Sequence, residues 1–111
     1  MLLKALEMFH PEYVLCAFDT PKPTFRHTKF TDYKATRKPT DQSLVEQFPL
    51  VEEVLKGFNI PILKVEGFEA DDILGTMSEY VSKGKWRDYN LDMYILSGDR
   101  DLLQLINNDV W

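Results

Sequence analysis

IPILKVEGFEADDILGTMSEYVS, residues 60–82, holds two patterns back to back. Ile60 to Val65 is a short, mostly apolar run of strand length. From about Glu69 to Ser82, Ala70, Ile73, Leu74, Met77 and Val81 recur at the spacing of one helix face. Gly67 falls between the two. A strand that feeds a helix through a tight turn is the unit from which α/β sheets are built. Three acids, Glu69, Asp71 and Asp72, open that helix.

The same alternation extends in both directions. YVLCAF, Tyr13 to Phe18, is a continuous apolar run that predicts a strand buried on both faces, ending at Asp19. Ahead of it, Leu2, Leu3, Leu6 and Phe9 fall on one side of a predicted helix. Leu44, Phe48, Val51, Leu55 and Phe58 predict another, with Thr40 as N-cap and Asp41 as a favourable first-turn charge. Pro49 should bend or split that helix, and Gly57 and Asn59 supply its stop. Met93 to Leu96 is a third short apolar strand. SGDRDLLQL, Ser97 to Leu105, then closes it and starts a short amphipathic helix. The expected fold class is α/β with a parallel sheet, in a single domain over residues 1–111.

Bulk properties fit a globular chain: 44% hydrophobic and 28% charged residues. At 111 residues the buried core is small and the stability margin thin. No apolar run approaches the roughly 20 residues that span a bilayer, and the first residues read as a helix rather than a leader, so no membrane partner and a cytoplasmic location are expected. Cys16 is the sole cysteine, which leaves no internal disulfide and no zinc cluster. Net charge is −5, yet six of the 13 lysines and arginines lie between Lys22 and Lys38. Those six are Lys22, Arg26, Lys29, Lys34, Arg37 and Lys38, with Asp32 the one acid among them. Such a local patch matters more to a phosphate polymer than the global sum. The surrounding stretch from Thr20 to Pro39 is polar, basic and proline-containing, and reads as a long loop.

The carboxylates fall where a parallel sheet would collect them. Asp19 closes the first strand, Glu69, Asp71 and Asp72 follow the second, and Asp99 and Asp101 close the third. Ligands of open α/β sheets bind at that carboxyl edge. Converging acids repel one another unless neutralised, and hard cations such as Mg²⁺ and Mn²⁺ do so through carboxylate and water oxygens. Two such ions about 4 Å apart suit phosphodiester hydrolysis. Each acid also has a plainer use: first-turn acids complement a helix dipole, and Asp99 and Asp101 suit a turn and an N-cap. On a regular helix Glu69 and Asp72 share a face while Asp71 points away, so all three reach one site only if the helix tip is irregular or the ions sit over its end. A haloacid-dehalogenase-type phosphatase would need a second aspartate two residues after Asp19, where this chain has Pro21.

AFDTPKPTFRH (Ala17 to His27), YKATR (Tyr33 to Arg37), GFEADDILGT (Gly67 to Thr76) and SGDRDLLQL occur in that order. Together they resemble the 5′-nuclease domain of bacterial DNA polymerase I and the stand-alone flap endonucleases. The resemblance implies a PIN-like, Rossmann-like α/β nuclease core that binds two divalent cations, Mg²⁺ or Mn²⁺. It would be a metal-dependent 5′-3′ exonuclease or flap endonuclease, cleaving DNA near 5′ ends in replication and repair. Its expected partners are 5′-flap, nicked or branched duplexes, with an RNA primer strand also open. By the resemblance, Asp19, Glu69, Asp71, Asp72, Asp99 and Asp101 surround the metals. Residues 20–42 form a basic arch or loop segment, its core aligning with roughly Thr24 to Gln42.

Within that segment Arg26, Lys34 and Arg37 match phosphate-holding positions, and Asp19, Lys34 and Arg37 take the catalytic roles. Lys22, His27, Lys29, Tyr33 and Lys38 complete the expected nucleic-acid contacts, with Tyr33 stacking on a base and His27 contacting a phosphate or serving structure. Phe25 and Phe30 are expected to pack beneath the loop. The family pattern also implies an aspartate-bearing strand before Met1, and an aspartate-bearing segment with a helix-hairpin-helix after Trp111. The chain is therefore expected to be an incomplete core, inactive or weakly active alone, with an exposed sheet edge inviting self-association. The alternative is a non-catalytic nucleic-acid-binding remnant of the same fold.

Overall fold

The computed structural model describes residues 1–30, 32–33, 39–84 and 90–111. In chain order the elements are α1 (Leu2–Phe9), β1 (Cys16–Ala17), α2 (Phe25–Lys29), α3 (Gln42–Val45), α4 (Phe48–Gly57), β2 (Ile62–Leu63), α5 (Ala70–Ser82) and a short 3-10 helix (Arg100–Leu105). The backbone groups into two compact units, Met1–Cys16 with Thr36–Leu63, and Ala17–Ala35 with Lys64–Trp111. Among the described residues no helix is long and apolar enough to cross a membrane.

In the first unit the expected helix around Pro49 is divided. Asp41, not Thr40, caps α3: its carboxylate accepts from the Ser43 amide at 2.8 Å. The Ser43 hydroxyl, and then that amide, hold the Asp41 carboxyl below the usual carboxylate range. α3 stops at Val45 and α4 restarts at Phe48, with Pro49 in the first turn. A proline there loses nothing, because first-turn amides have no helical acceptor, whereas mid-helix its ring would strike the carbonyl four residues back. α4 ends where Asn59 takes a left-handed φ of 56°, which lets the Ile60 amide reach the Leu55 carbonyl at 2.9 Å. Leu55 and Ile60 are buried. On α1, Leu2, Ala5 and Leu6 are half-buried, but Leu3 and Phe9 are exposed, so the apolar side is narrower than expected.

β1 and β2 form a two-stranded sheet. Both are shorter than the apolar runs that predict them. Pro61 has no amide to offer, and the pairing runs through its carbonyl, which accepts from the Cys16 amide at 2.9 Å. Tyr13 is 71% exposed, which overturns burial of that strand on both faces along its whole length. Burial still pushes the Cys16 thiol pKa up.

In the second unit, Met93 to Leu96 does not join a sheet with β1 and β2 among the described residues. Met93 instead makes a parallel bridge to Val110. The Met93 amide donates to Asp109, and Ile95 and Trp111 extend the pairing, each at 2.8 Å. Val110 is wholly buried as a result. α5 packs against the 3-10 helix, with Ile73 and Leu102 buried. Helices with a small sheet are compatible with α/β.

Gly67 supplies the turn into α5 with φ of 83°. A Cβ there would meet nothing within 4 Å, so the constraint is conformational rather than steric. The same residue's carbonyl accepts from the Phe25 amide at 3.0 Å and so anchors α2. Gly67→Ala is expected to cost about 1 kcal/mol, read as a lower urea midpoint at unchanged m-value. An unchanged midpoint would show that the turn tolerates a side chain.

Candidate active site

All the described candidate residues lie in the second unit, so their mutual geometry is internal to one compact body. Lys34, Arg37 and Lys38 lie outside the described residues.

The basic stretch is not wholly loop. Residues 25–29 form α2, capped reciprocally by Thr24 and His27. The Thr24 amide donates to His27 Nδ1 at 3.1 Å, and the Thr24 hydroxyl lies 2.9 Å from the same nitrogen. In the structure His27 is thus a capping residue, its ring edge-on to Tyr33 at 5.2 Å. The signal was present as Thr-x-x-His, a variant of the Ser/Thr-x-x-Glu box, but it sits among prolines and cations that mask it. Phe25 packs on Phe68 at 5.6 Å yet is 37% exposed, and Phe30 is 64% exposed, so both are more open than burial beneath a loop predicts. Lys29 lies over the Phe25 ring at 5.8 Å, and Lys22 pairs with Glu66 at 2.8 Å on the open surface.

α2 presents Arg26 to the start of α5. Its Nη1 and Nη2 donate to Asp72 Oδ2 and Oδ1, both at 2.7 Å, a two-pronged charge-assisted pair. Nη1 also stands 3.8 Å from Glu69 Oε2. Hydrogen bonding to Asp72, then the field of that carboxylate and Glu69, hold the guanidinium further above its usual range. Asp72 does a second job. Its Oδ2 accepts from the Glu69 amide at 2.9 Å, and Glu69 reciprocates on the Asp72 amide. These two acids therefore share one face, as the helical spacing predicts. Glu69 is buried and also accepts from the Tyr33 hydroxyl at 3.0 Å.

The remaining acids surround this pair. Asp19 Oδ1 accepts from the Ala70 amide at 2.7 Å, where the helix dipole favours negative charge. Asp71 is exposed. It shares an open groove of about 360 Å³ with Arg26, Asp72, Thr76, Glu79 and Asp101. Asp99 caps the 3-10 helix by accepting from the Asp101 amide at 2.9 Å. Thr76 and Glu79 were not anticipated; they lie one and two turns along α5 from Asp72, and both line the groove with the 3-10 helix.

Two of the three acidic segments thus meet at one groove, with Asp19 tied to the α5 N-terminus. They do not assemble a metal centre. Among the described residues, no three His, Cys, Asp or Glu side chains stand where they could hold an ion. The physical cause is visible at Asp72 and Glu69, whose charge is taken up by Arg26 and whose oxygens are occupied by amides and the Tyr33 hydroxyl. As arranged, these residues do not fit a two-metal site.

Residues 1–111 match a protein-family description, "5′-3′ exonuclease, N-terminal resolvase-like domain". The chain belongs to that 5′-3′ exonuclease family. Similarity to individual relatives agrees with it. DNA polymerase I of Caldicellulosiruptor bescii is 42% identical over 110 residues, covering 99% of the chain and 12% of that protein. The corresponding protein of Geobacillus stearothermophilus is 44% identical over 110 residues, and that of Bacillus subtilis 40% over 105. The exonuclease-family chain therefore spans about 12% of the length of the polymerases it matches. The family description extends over the helices and the small sheet of both units.

Proposed function

We propose that this exonuclease-family chain contributes the acid-lined core of a 5′-3′ exonuclease or flap endonuclease. Its substrate would be DNA phosphodiesters near 5′ ends, at flaps, nicks or branches, in replication and repair. The observation that carries this is the groove lined by Asp71, Asp72 and Asp101, from two separate segments, together with Arg26. A family match over residues 1–111 supports the reaction class. Two divalent cations, Mg²⁺ or Mn²⁺, are the proposed cofactors, with Asp19, Glu69, Asp71, Asp72, Asp99 and Asp101 as the candidate ligands. Holding them requires the acids to be released from the pairs described above. A PIN-like parallel sheet and a cytoplasmic setting complete the proposal.

The chain's own residues have work that needs no metal. Arg26, Lys22 and Lys29, together with Lys34, Arg37 and Lys38, gather a phosphate backbone. Tyr33, half-buried beside His27, is the aromatic proposed to stack on a base of the bound strand. A specific observation also favours the second possibility, a non-catalytic nucleic-acid-binding domain: the salt pair that ties up Asp72. Exposed Leu3, Met8 and Phe9 on α1 support self-association, which sedimentation at several concentrations would register.

The test uses a 5′-labelled flap duplex with the chain in Mn²⁺ or in EDTA. Flap binding that weakens as salt rises is expected, with slow cleavage or none. Failure to bind at low salt would sink the proposal. Brisk cleavage abolished by Asp99→Ala would instead make the chain a self-sufficient enzyme. A hybrid in which this chain replaces the matching segment of the Geobacillus stearothermophilus polymerase separates the two possibilities. Flap cleavage by the hybrid supports catalysis, and its absence in a folded hybrid supports the non-catalytic domain.

A further inference from the structure

The turn before α5 carries an aromatic ring to the surface and holds it there. Phe68 is 46% exposed, although its ring meets Phe25 at 5.6 Å with the planes tilted by 53°. The backbone under both rings is fixed. The Phe68 amide donates to the Val65 carbonyl at 3.2 Å, and the Phe25 amide to the Gly67 carbonyl at 3.0 Å. Cations flank the pair. The Arg26 guanidinium carbon lies 4.6 Å from the Phe25 ring centroid, and Lys29 Nζ lies 5.8 Å from it. Lys22 is tied to Glu66, two residues before Phe68. From these observations we infer that Phe68, backed by Phe25, is a stacking platform for an unpaired nucleobase, with Lys29 and Lys22 taking the adjoining phosphates. This rests on the proposal that the chain binds nucleic acid.

A lone exposed ring is ordinary on a protein surface. A rigidly mounted pair bordered by cations is the combination that single-strand binding uses, with stacking for the bases and charge for the backbone. The same cations argue against a protein partner, because the core of a protein interface is depleted in charge. Position supports the nucleobase too. Arg26 lies over the Phe25 ring and binds Asp72 at 2.7 Å, so one side chain joins the rings to the acid-lined groove. A strand that passes the groove therefore passes the rings. The Lys22–Glu66 pair stands on the open surface, where ion pairs contribute little, so Lys22 exchanges readily to a phosphate. Rings held in advance also lose little freedom when a base arrives.

The experiment follows binding of fluorescein-labelled single strands by fluorescence anisotropy, comparing oligothymidylate with an abasic strand of equal length and charge. Circular dichroism confirms that each variant is folded. Phe68→Ala is expected to weaken oligothymidylate binding about tenfold and abasic binding by less than about twofold. Phe68→Leu keeps apolar packing on Phe25 without a π-face and should weaken binding as alanine does. Phe68→Trp should bind at least as tightly as the unmodified chain. Lys29→Gln should weaken both strands alike and lower the salt slope by about one. Equal losses on both strands in Phe68→Ala would make the ring structural and overturn the platform. Unchanged oligothymidylate binding in Phe68→Ala and Phe68→Leu would overturn the platform alone and leave the nucleic-acid proposal standing. No binding of either strand by the unmodified chain at low salt would overturn both. Loss of self-association in Phe68→Ala, with oligothymidylate binding unchanged, would assign the rings to a second copy and overturn the platform.

Discussion

Asp72→Ala is expected to lower folding stability by about 3 kcal/mol, measured by urea unfolding at neutral pH. Two losses combine. The alanine cannot accept from the Glu69 amide, and loss of a helix cap costs about 1 kcal/mol. It also strands Arg26, whose remaining acid among those described here, Glu69, stands 3.8 Å away. Removing one partner of a fully buried pair costs about 3–5 kcal/mol. The Arg26 and Asp72 side chains are 28% and 21% exposed, so water recovers part of that. About 2 kcal/mol from the broken pair is therefore appropriate. Asp72→Asn keeps an amide oxygen for the cap and should cost about 2 kcal/mol. Equal losses from the two variants would mean that the cap contributes nothing. A loss below about 1 kcal/mol for Asp72→Ala would show the two-pronged pair to be incidental.

Leu102→Ala is the second large effect, expected at about 3 kcal/mol by thermal or urea unfolding. Leu102 is 7% exposed where the 3-10 helix meets α5, and Leu103 beside it is 62% exposed. Deleting a buried isobutyl group loses its transfer energy and leaves a cavity that neighbours fill only partly. The described apolar core of this unit is small, with Ile73, Leu102 and Val110 below a tenth exposed. A domain with roughly 5–15 kcal/mol in hand feels such a loss strongly. Leu103→Ala should change stability by less than about 0.5 kcal/mol. Comparable losses at the two positions would show that the 3-10 helix is placed differently in solution.

That contrast shows what short-range reading can and cannot reach. In DLLQL, Leu102 and Leu103 are equivalent by composition, and an amphipathic pattern only five residues long does not choose between them. The choice came from the packing of the 3-10 turn on α5. Where the determinant is local, the residues were decisive. Pro49 divides α3 from α4 because a ring–carbonyl clash acts four residues back. Helix Ala70–Ser82 follows its apolar period, and Glu69 with Asp72 caps it at the three-residue spacing of a capping box. The motifs around Asp19, Asp72 and Asp101 carried the resemblance to 5′-nucleases, and the family match over residues 1–111 agrees.

Three features needed the tertiary structure. Among the described residues Met93 pairs with Val110 and not with β1 or β2, because strand partnership is not set by the local apolar run. α2 forms inside a stretch that reads as loop, since its anchor, the Gly67 carbonyl, lies 42 residues beyond Phe25. The acid cluster is the third. Charge repulsion among Asp19, Glu69, Asp71, Asp72, Asp99 and Asp101 could be foreseen from their placement at segment ends, and so could the need for a neutralising cation. Which cation answers that need could not. A guanidinium from 46 residues away satisfies the same electrostatics as a metal ion, and only the fold shows that Arg26 is within 2.7 Å of Asp72. By themselves, then, the residues determined the lineage, the helix that carries the acids and the demand for positive charge. The tertiary structure decided that, in this state, the positive charge is the chain's own.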